Sequence, residues 1–124
     1  MKFAIVGAGA IGAFVGAMLA RAGEDVTLIA RGAHLRAMQD HGVRVLGEIG
    51  DFQVNAKATD DPQTVGEVDV VILALKTHSV PAMVASLAPI LGPDTSVLTA
   101  QNGFPWWYFY KHGAEWEGTH LESV

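Results

Sequence analysis

Six residues near the start of the chain, Gly7-Ala8-Gly9-Ala10-Ile11-Gly12, have the spacing G-x-G-x-x-G. They follow the apolar run Phe3-Ala4-Ile5-Val6 and open a segment in which Ile11, Phe14, Val15, Met18 and Leu19 recur at helical spacing. In that setting each glycine has its own task. Gly7 permits a tight turn, Gly9 lets the backbone approach a pyrophosphate, and Gly12 lets helix and strand pack closely. The helix N-terminus would present unpaired N–H groups and the positive end of its dipole, which attract phosphate with no basic side chain. The same residues also suit a strand-to-helix turn that binds nothing.

Three further side chains sit where such a turn would use them. An NAD site normally carries Asp or Glu at the end of the second strand, to accept hydrogen bonds from the adenosine ribose. Here that place holds Arg31, while Glu24 and Asp25 lie at the opposite end of the strand. A guanidinium pairs with a 2′-phosphate through charge-assisted bonds, so NADP(H) is expected in preference to NAD(H). Lys76 and Asn102 each follow an apolar run and fall at the carboxyl ends of strands, where open α/β sheets bind their ligands. The ammonium can neutralise a phosphate or a substrate carboxylate, and the amide can bind a carboxamide or hydroxyl from either end. A strand-end lysine in solvent, an Asn-Gly turn and a solvated Arg31 are the plain alternatives.

The elements that must position these residues alternate between strand and helix. Phe3–Val6 reads as a strand buried on both faces, Ala10–Ala22 as a helix stopped by Gly23, and Asp25–Ala30 as a second strand. Arg31-Gly32 is expected to close that strand before a helix over Ala33–Asp40. Val43–Leu46 and Phe52–Val54, with a Gly-rich turn between them, read as an inserted hairpin. Val68–Leu75 is the most hydrophobic segment and is expected to be a central strand. A helix is expected over Pro81–Leu91 with Ser79 as its N-cap, ended by Gly92-Pro93-Asp94 before a strand at Thr95–Ala100. Thr59-Asp60-Asp61-Pro62 reads as a turn and helix entry, not a carboxylate pair for acid–base work. Together these give a Rossmann-type, doubly wound α/β domain with a parallel sheet and right-handed crossovers.

Composition narrows the function classes. At 124 residues there is room for one domain, taken as 1–124, and half the residues are apolar. Thirteen acidic against eight basic residues argue against a nucleic-acid surface. There is no cysteine, which removes disulfides and thiolate metal sites. His34, His41, His78, His112 and His120 lack metal-ligand spacing, so no metal site is expected. The apolar opening is punctuated by four glycines and preceded only by Lys2, unlike a signal peptide or a membrane anchor. A cytoplasmic location and no membrane partner are therefore expected.

With GAGAIG, Arg31, LALKTH around Lys76 and TAQNG around Asn102 in place, the sequence resembles the ketopantoate reductase (2-dehydropantoate 2-reductase) family over nearly its whole length. The resemblance implies that residues Gly7, Ala8, Gly9, Ala10, Ile11 and Gly12 bind the NADPH pyrophosphate. It implies that Arg31 holds the 2′-phosphate, and that Lys76 and Asn102 line the nicotinamide and substrate site as catalytic residues. The implied reaction is hydride transfer from NADPH to the keto carbon of ketopantoate, giving pantoate for coenzyme A biosynthesis.

Members of that family continue into further strands and a helical domain that supplies a general-acid lysine. The domain here is thus expected to be C-terminally incomplete and inactive alone. The Pro105-Trp106-Trp107-Tyr108-Phe109-Tyr110 run is expected to be partly exposed, and bare strand edges make self-association an expectation. Two other readings stand beside the first: an NADP(H)-binding module without catalysis, and a different dehydrogenase acting on a hydroxy or sugar acid.

Overall fold

The computed structural model describes the chain except for Ile49, Trp106 and residues 121–124. In order the elements are β1 (Lys2–Val6), α1 (Ala10–Arg21), β2 (Asp25–Ile29), α2 (Gly32–His41), β3 (Val43–Val45), β4 (Phe52–Val54), β5 (Lys57–Thr59), β6 (Val68–Leu73), α3 (Val80–Leu87) and β7 (Leu91–Thr99). Five strands form one parallel sheet in the order β5-β2-β1-β6-β7, and β3 and β4 form a separate antiparallel pair. The strand order reverses at β1, whose Val6 lies between Ile29 of β2 and Leu73 of β6.

Alternation along β1 explains the two covered faces. Ile5 points to the side where Leu28, Ile72, Leu35 and Met38 gather with Ala17 of α1 and Val43 and Val45 of the hairpin. Ala4 and Val6 point to the other side, against Ile29, Val71, Leu73, and Val80 and Leu87 of α3. A strand with apolar partners on both sides has no polar face to show, which is why Phe3–Val6 lacks alternation in the sequence. The expected doubly wound architecture, the two leading strands, α1 and the hairpin are all present. No helix among the described residues is long and apolar enough to cross a membrane.

Several boundaries differ from expectation. β5 went unanticipated: Lys57-Ala58-Thr59 has little apolar signal, and it is a strand because it pairs with Thr27–Ile29 at the sheet edge, where Lys57 also reaches Asp25 at 2.8 Å. That ion pair holds the Asp25 carboxyl below its ordinary range, through the hydrogen bond first and the lysine charge after desolvation. β6 ends at Leu73 and not Leu75. α3 stops at Leu87 and gives way to a single 3-10 turn at Ala88–Ile90. Pro89 explains the early stop, since it has no N–H to continue the helix and its ring crowds the carbonyl four residues back.

Gly92-Pro93-Asp94 does not end a helix but lies inside β7, at the irregularity where the register jumps from Val68–Leu91 to Val70–Ser96. Thr95 closes that bulge: its hydroxyl accepts from the Gly92 N–H at 2.8 Å and donates to the Val68 carbonyl at 2.6 Å. Ser79 precedes α3 but makes no side-chain cap, because a 3-10 turn over Thr77–Ser79 feeds directly into the helix. Arg31 is the N-cap of α2 and Gly32 its first residue, so the anticipated terminating turn already belongs to the helix start. Asp60-Asp61-Pro62 is a turn as expected, with the Asp61 carboxylate accepting from the Gln63 N–H at 3.0 Å ahead of a single 3-10 turn.

Candidate functional site

The loops leaving the carboxyl ends of β1, β2, β6 and β7 meet along one rim of the sheet, and every residue expected to bind or react lies there. Gly7 is held at φ +95°, a conformation that a side chain would strain, and its N–H donates to the Ile29 carbonyl at 3.1 Å. A Cβ on Gly12 would sit 2.0 Å from the Gly7 carbonyl oxygen, so α1 approaches β1 only because position 12 has no side chain. Gly9 is different: a Cβ there would meet nothing within 4 Å, which leaves its surface facing open space. The first α1 bond runs from the Ala13 N–H to the Gly9 carbonyl at 2.8 Å. The N–H groups of Ala10, Ile11 and Gly12 therefore precede any acceptor within the helix. Gly9, the N-cap, offers no side-chain oxygen in their place.

A cleft of about 540 Å³ opens over this turn, lined by Gly7, Ala8 and Gly9 on one side and by Arg31, Asp60 and Met83 on others. The Arg31 guanidinium has no hydrogen bond or ion pair among the described residues, while the Arg31 carbonyl accepts from the Leu35 N–H at 3.4 Å as α2 begins. A second cleft of about 460 Å³ continues along the rim, with Ile11, Lys76, His78 and Asn102 in its walls. Leu75 lines both, and its side chain closes over Gly7. The structure thus brings the glycine turn and Arg31 together in one cleft and Lys76 and Asn102 together in the next. Lys76 lies three residues beyond β6 and Asn102 three beyond β7, both exposed. The two strand ends are tied by Gln101, whose Nε2 donates to the Leu75 carbonyl at 2.9 Å.

Sequence reasoning missed Gln101 and, more consequentially, His34. The His34 Nε2 lies 2.6 Å from the carbonyl oxygen of Ala8, inside the glycine turn. A signal was present, since His34 follows Arg31 by three residues and a helix places such residues on the same face. Asp60 and Met83 were also missed as lining residues, because nothing in a strand-and-turn reading says that the turn after β5 and helix α3 share a cleft with the end of β2.

Beyond the rim, Phe104, Tyr108, Phe109, His112 and Trp116 form a run of edge and stacked ring contacts at centroid separations of 5.1–6.3 Å. Phe104, Tyr110 and Trp116 are more than half exposed. Glu117 pins this segment, accepting from the Gly113 N–H at 2.6 Å and the Lys111 N–H at 2.7 Å. Those two bonds hold its carboxyl below the ordinary range. Trp106, which belongs to the aromatic run, lies outside the described residues.

Known proteins share this arrangement. Residues 3–106 match the family described as ketopantoate reductase PanE/ApbA. A 2-dehydropantoate 2-reductase of Mesorhizobium japonicum is 46% identical across the whole chain, which covers 38% of that protein. The crystal structure of a Ralstonia solanacearum protein assigned as a ketopantoate reductase superposes with a TM-score of 0.90 at 41% identity, covering 99% of this chain and 38% of that one. D-mandelate dehydrogenase, in a ternary structure with NADH and anilino(oxo)acetate, matches with a TM-score of 0.75 at 30% identity, over 83% of this chain and 34% of its own. The chain spans a little over a third of the length of these relatives. A match over residues 3–106 with the same five-stranded parallel sheet leaves one assignment: this chain belongs to the ketopantoate reductase family and corresponds to its N-terminal domain.

Proposed function

We propose that the chain is the NADPH-binding portion of an oxidoreductase that reduces a 2-keto acid, 2-dehydropantoate to pantoate. The observation that carries the reading is the shared cleft: an open Gly9 at the N-terminus of α1 and an Arg31 guanidinium with no partner among the described residues line the same space. A dinucleotide fits these residues, because a Cβ at Gly9 would occupy room that a pyrophosphate needs and Arg31 supplies the charge that a 2′-phosphate needs. When bound, the reduced nicotinamide supplies a hydride to the keto carbon.

The chain's own residues hold and orient. Ala10, Ile11 and Gly12 donate N–H groups to the pyrophosphate, Arg31 pairs with the 2′-phosphate, and Lys76 and Asn102 face the carboxamide and the substrate oxygens. A positive Lys76 also favours an anionic substrate over a neutral one, since a keto acid brings a carboxylate. The outer edge of β7, which no strand among the described residues pairs, supports self-association as part of the same reading. The D-mandelate dehydrogenase match favours a second reading, in which the cofactor is NADH and the substrate another oxo acid.

Parallel titrations with NADPH and NADH, read by tryptophan fluorescence, separate the two. NADPH should bind more tightly, and Arg31→Ala should weaken NADPH by about 10–100-fold, the worth of charge-assisted bonds, while leaving NADH unchanged. Equal affinities that ignore the substitution would move the assignment to NADH. A keto-acid screen on the full-length enzyme then fixes the substrate.

A further inference from the structure

The glycine turn is clamped from two sides. On one, the Gly7 N–H donates to the Ile29 carbonyl at 3.1 Å, tying the turn to the end of β2. On the other, His34 of α2 reaches back to the Ala8 carbonyl at 2.6 Å. A carbonyl oxygen only accepts, so Nε2 carries the proton and donates. None of the described peptide bonds is cis. In a planar trans peptide the carbonyl and the following N–H point in opposite directions. A bond that fixes the Ala8 oxygen therefore fixes the direction of the Gly9 N–H. That N–H has no acceptor among the described residues.

His34 also stands in the wall of the cleft that holds Arg31, and with Gly9 it lines a second one of about 380 Å³ walled by residues of α1, α2 and β3. Arg31 is the N-cap of α2 and His34 lies three residues on. Movement of the α2 start therefore moves both the guanidinium and the clamp on the turn.

We propose that His34 is a positioning residue for the dinucleotide, holding the Gly9 N–H in its pyrophosphate-binding direction and coupling the glycine turn to the Arg31 end of α2. The inference rests on the reading of this cleft as a dinucleotide site. Because it acts through the pyrophosphate turn, its effect is common to NADPH and NADH, unlike that of Arg31.

The test is a titration of wild type, His34→Ala and His34→Gln with both cofactors, with thermal midpoints recorded alongside. His34→Ala should weaken NADPH and NADH by the same factor, about 3–10-fold for one lost hydrogen bond, without lowering the midpoint. His34→Gln, whose amide Nε2 can donate from a similar position, should restore most of the affinity. Unchanged binding in His34→Ala, no rescue by His34→Gln, or a loss confined to NADPH would each overturn the proposal. Wild type that binds neither cofactor would instead sink the reading beneath it.

Discussion

The two sides of the sheet are built to different standards. On the β2 side, Ile5 and Leu28 are fully buried, α1 and α2 cover one face, and the hairpin of β3 and β4 packs beside them. On the far side, β7 carries Val97 and Leu98 at 52% and 56% exposure, although consecutive strand residues point to opposite faces. Among the described residues both faces of β7 are thus open, and no strand pairs with its outer edge. The part that carries the glycine turn and Arg31 is closely packed, whereas the strand that leads to Asn102 is exposed. On the proposed reading, the glycine turn and Arg31 belong to the first region and Asn102 to the second.

The contrast can be broken most sharply in the cores. Ile5→Ala removes a side chain at 0% exposure and should cost about 2–5 kcal/mol in denaturant unfolding. Val97→Ala should change stability by less than about 0.5 kcal/mol. A large loss at Val97 would show that β7 is covered in solution, and the comparison would fail.

Within the turn, Gly12→Ala should cost about 1–3 kcal/mol, because its Cβ would overlap the Gly7 carbonyl. Gly9→Ala meets no protein atom, so it should keep the unfolding midpoint and lose cofactor affinity. Equal destabilisation by both would mean that the turn has no open side.

The smallest effect concerns acid. Glu117 is depressed in the folded chain by the N–H groups of Gly113 and Lys111, so its contribution is present above the ordinary carboxylate range and lost as pH falls through the depressed value. Amide exchange at Lys111 and Gly113 should accelerate in strong acid before the β1 and β2 amides respond. Simultaneous release would merge the two regions into one cooperative unit.

What could be read in advance follows the same division. The first two strands and the turn were legible because their signals are local: an unbroken apolar run, glycines at fixed offsets, a helical period closed by Gly23. The place of Arg31 just past β2 was legible from the end of the strand. β5 was not, since Lys57-Ala58-Thr59 becomes a strand through pairing with β2 across a sheet edge, which no local pattern records. The α3 boundary failed because Leu87, Ile90 and Leu91 continue the apolar spacing past Pro89, and the proline prevailed over the period. His34 failed for a third reason: its spacing from Arg31 places it on the same helix face, but its hydrogen bond to a backbone oxygen 26 residues earlier has no signature in residue types.

The placement of β1 has a consequence during synthesis. It lies at residues 2–6 yet occupies the middle of the sheet, with both edges paired to strands made later, β2 at 25–29 and β6 at 68–73. On the ribosome its second edge stays unmatched until β6 has been translated. At rates of about 5–20 residues per second that delay is roughly 3–15 s. For that interval an almost wholly apolar strand waits with a bare edge, the kind of transiently exposed surface that makes a nascent chain prone to aggregate.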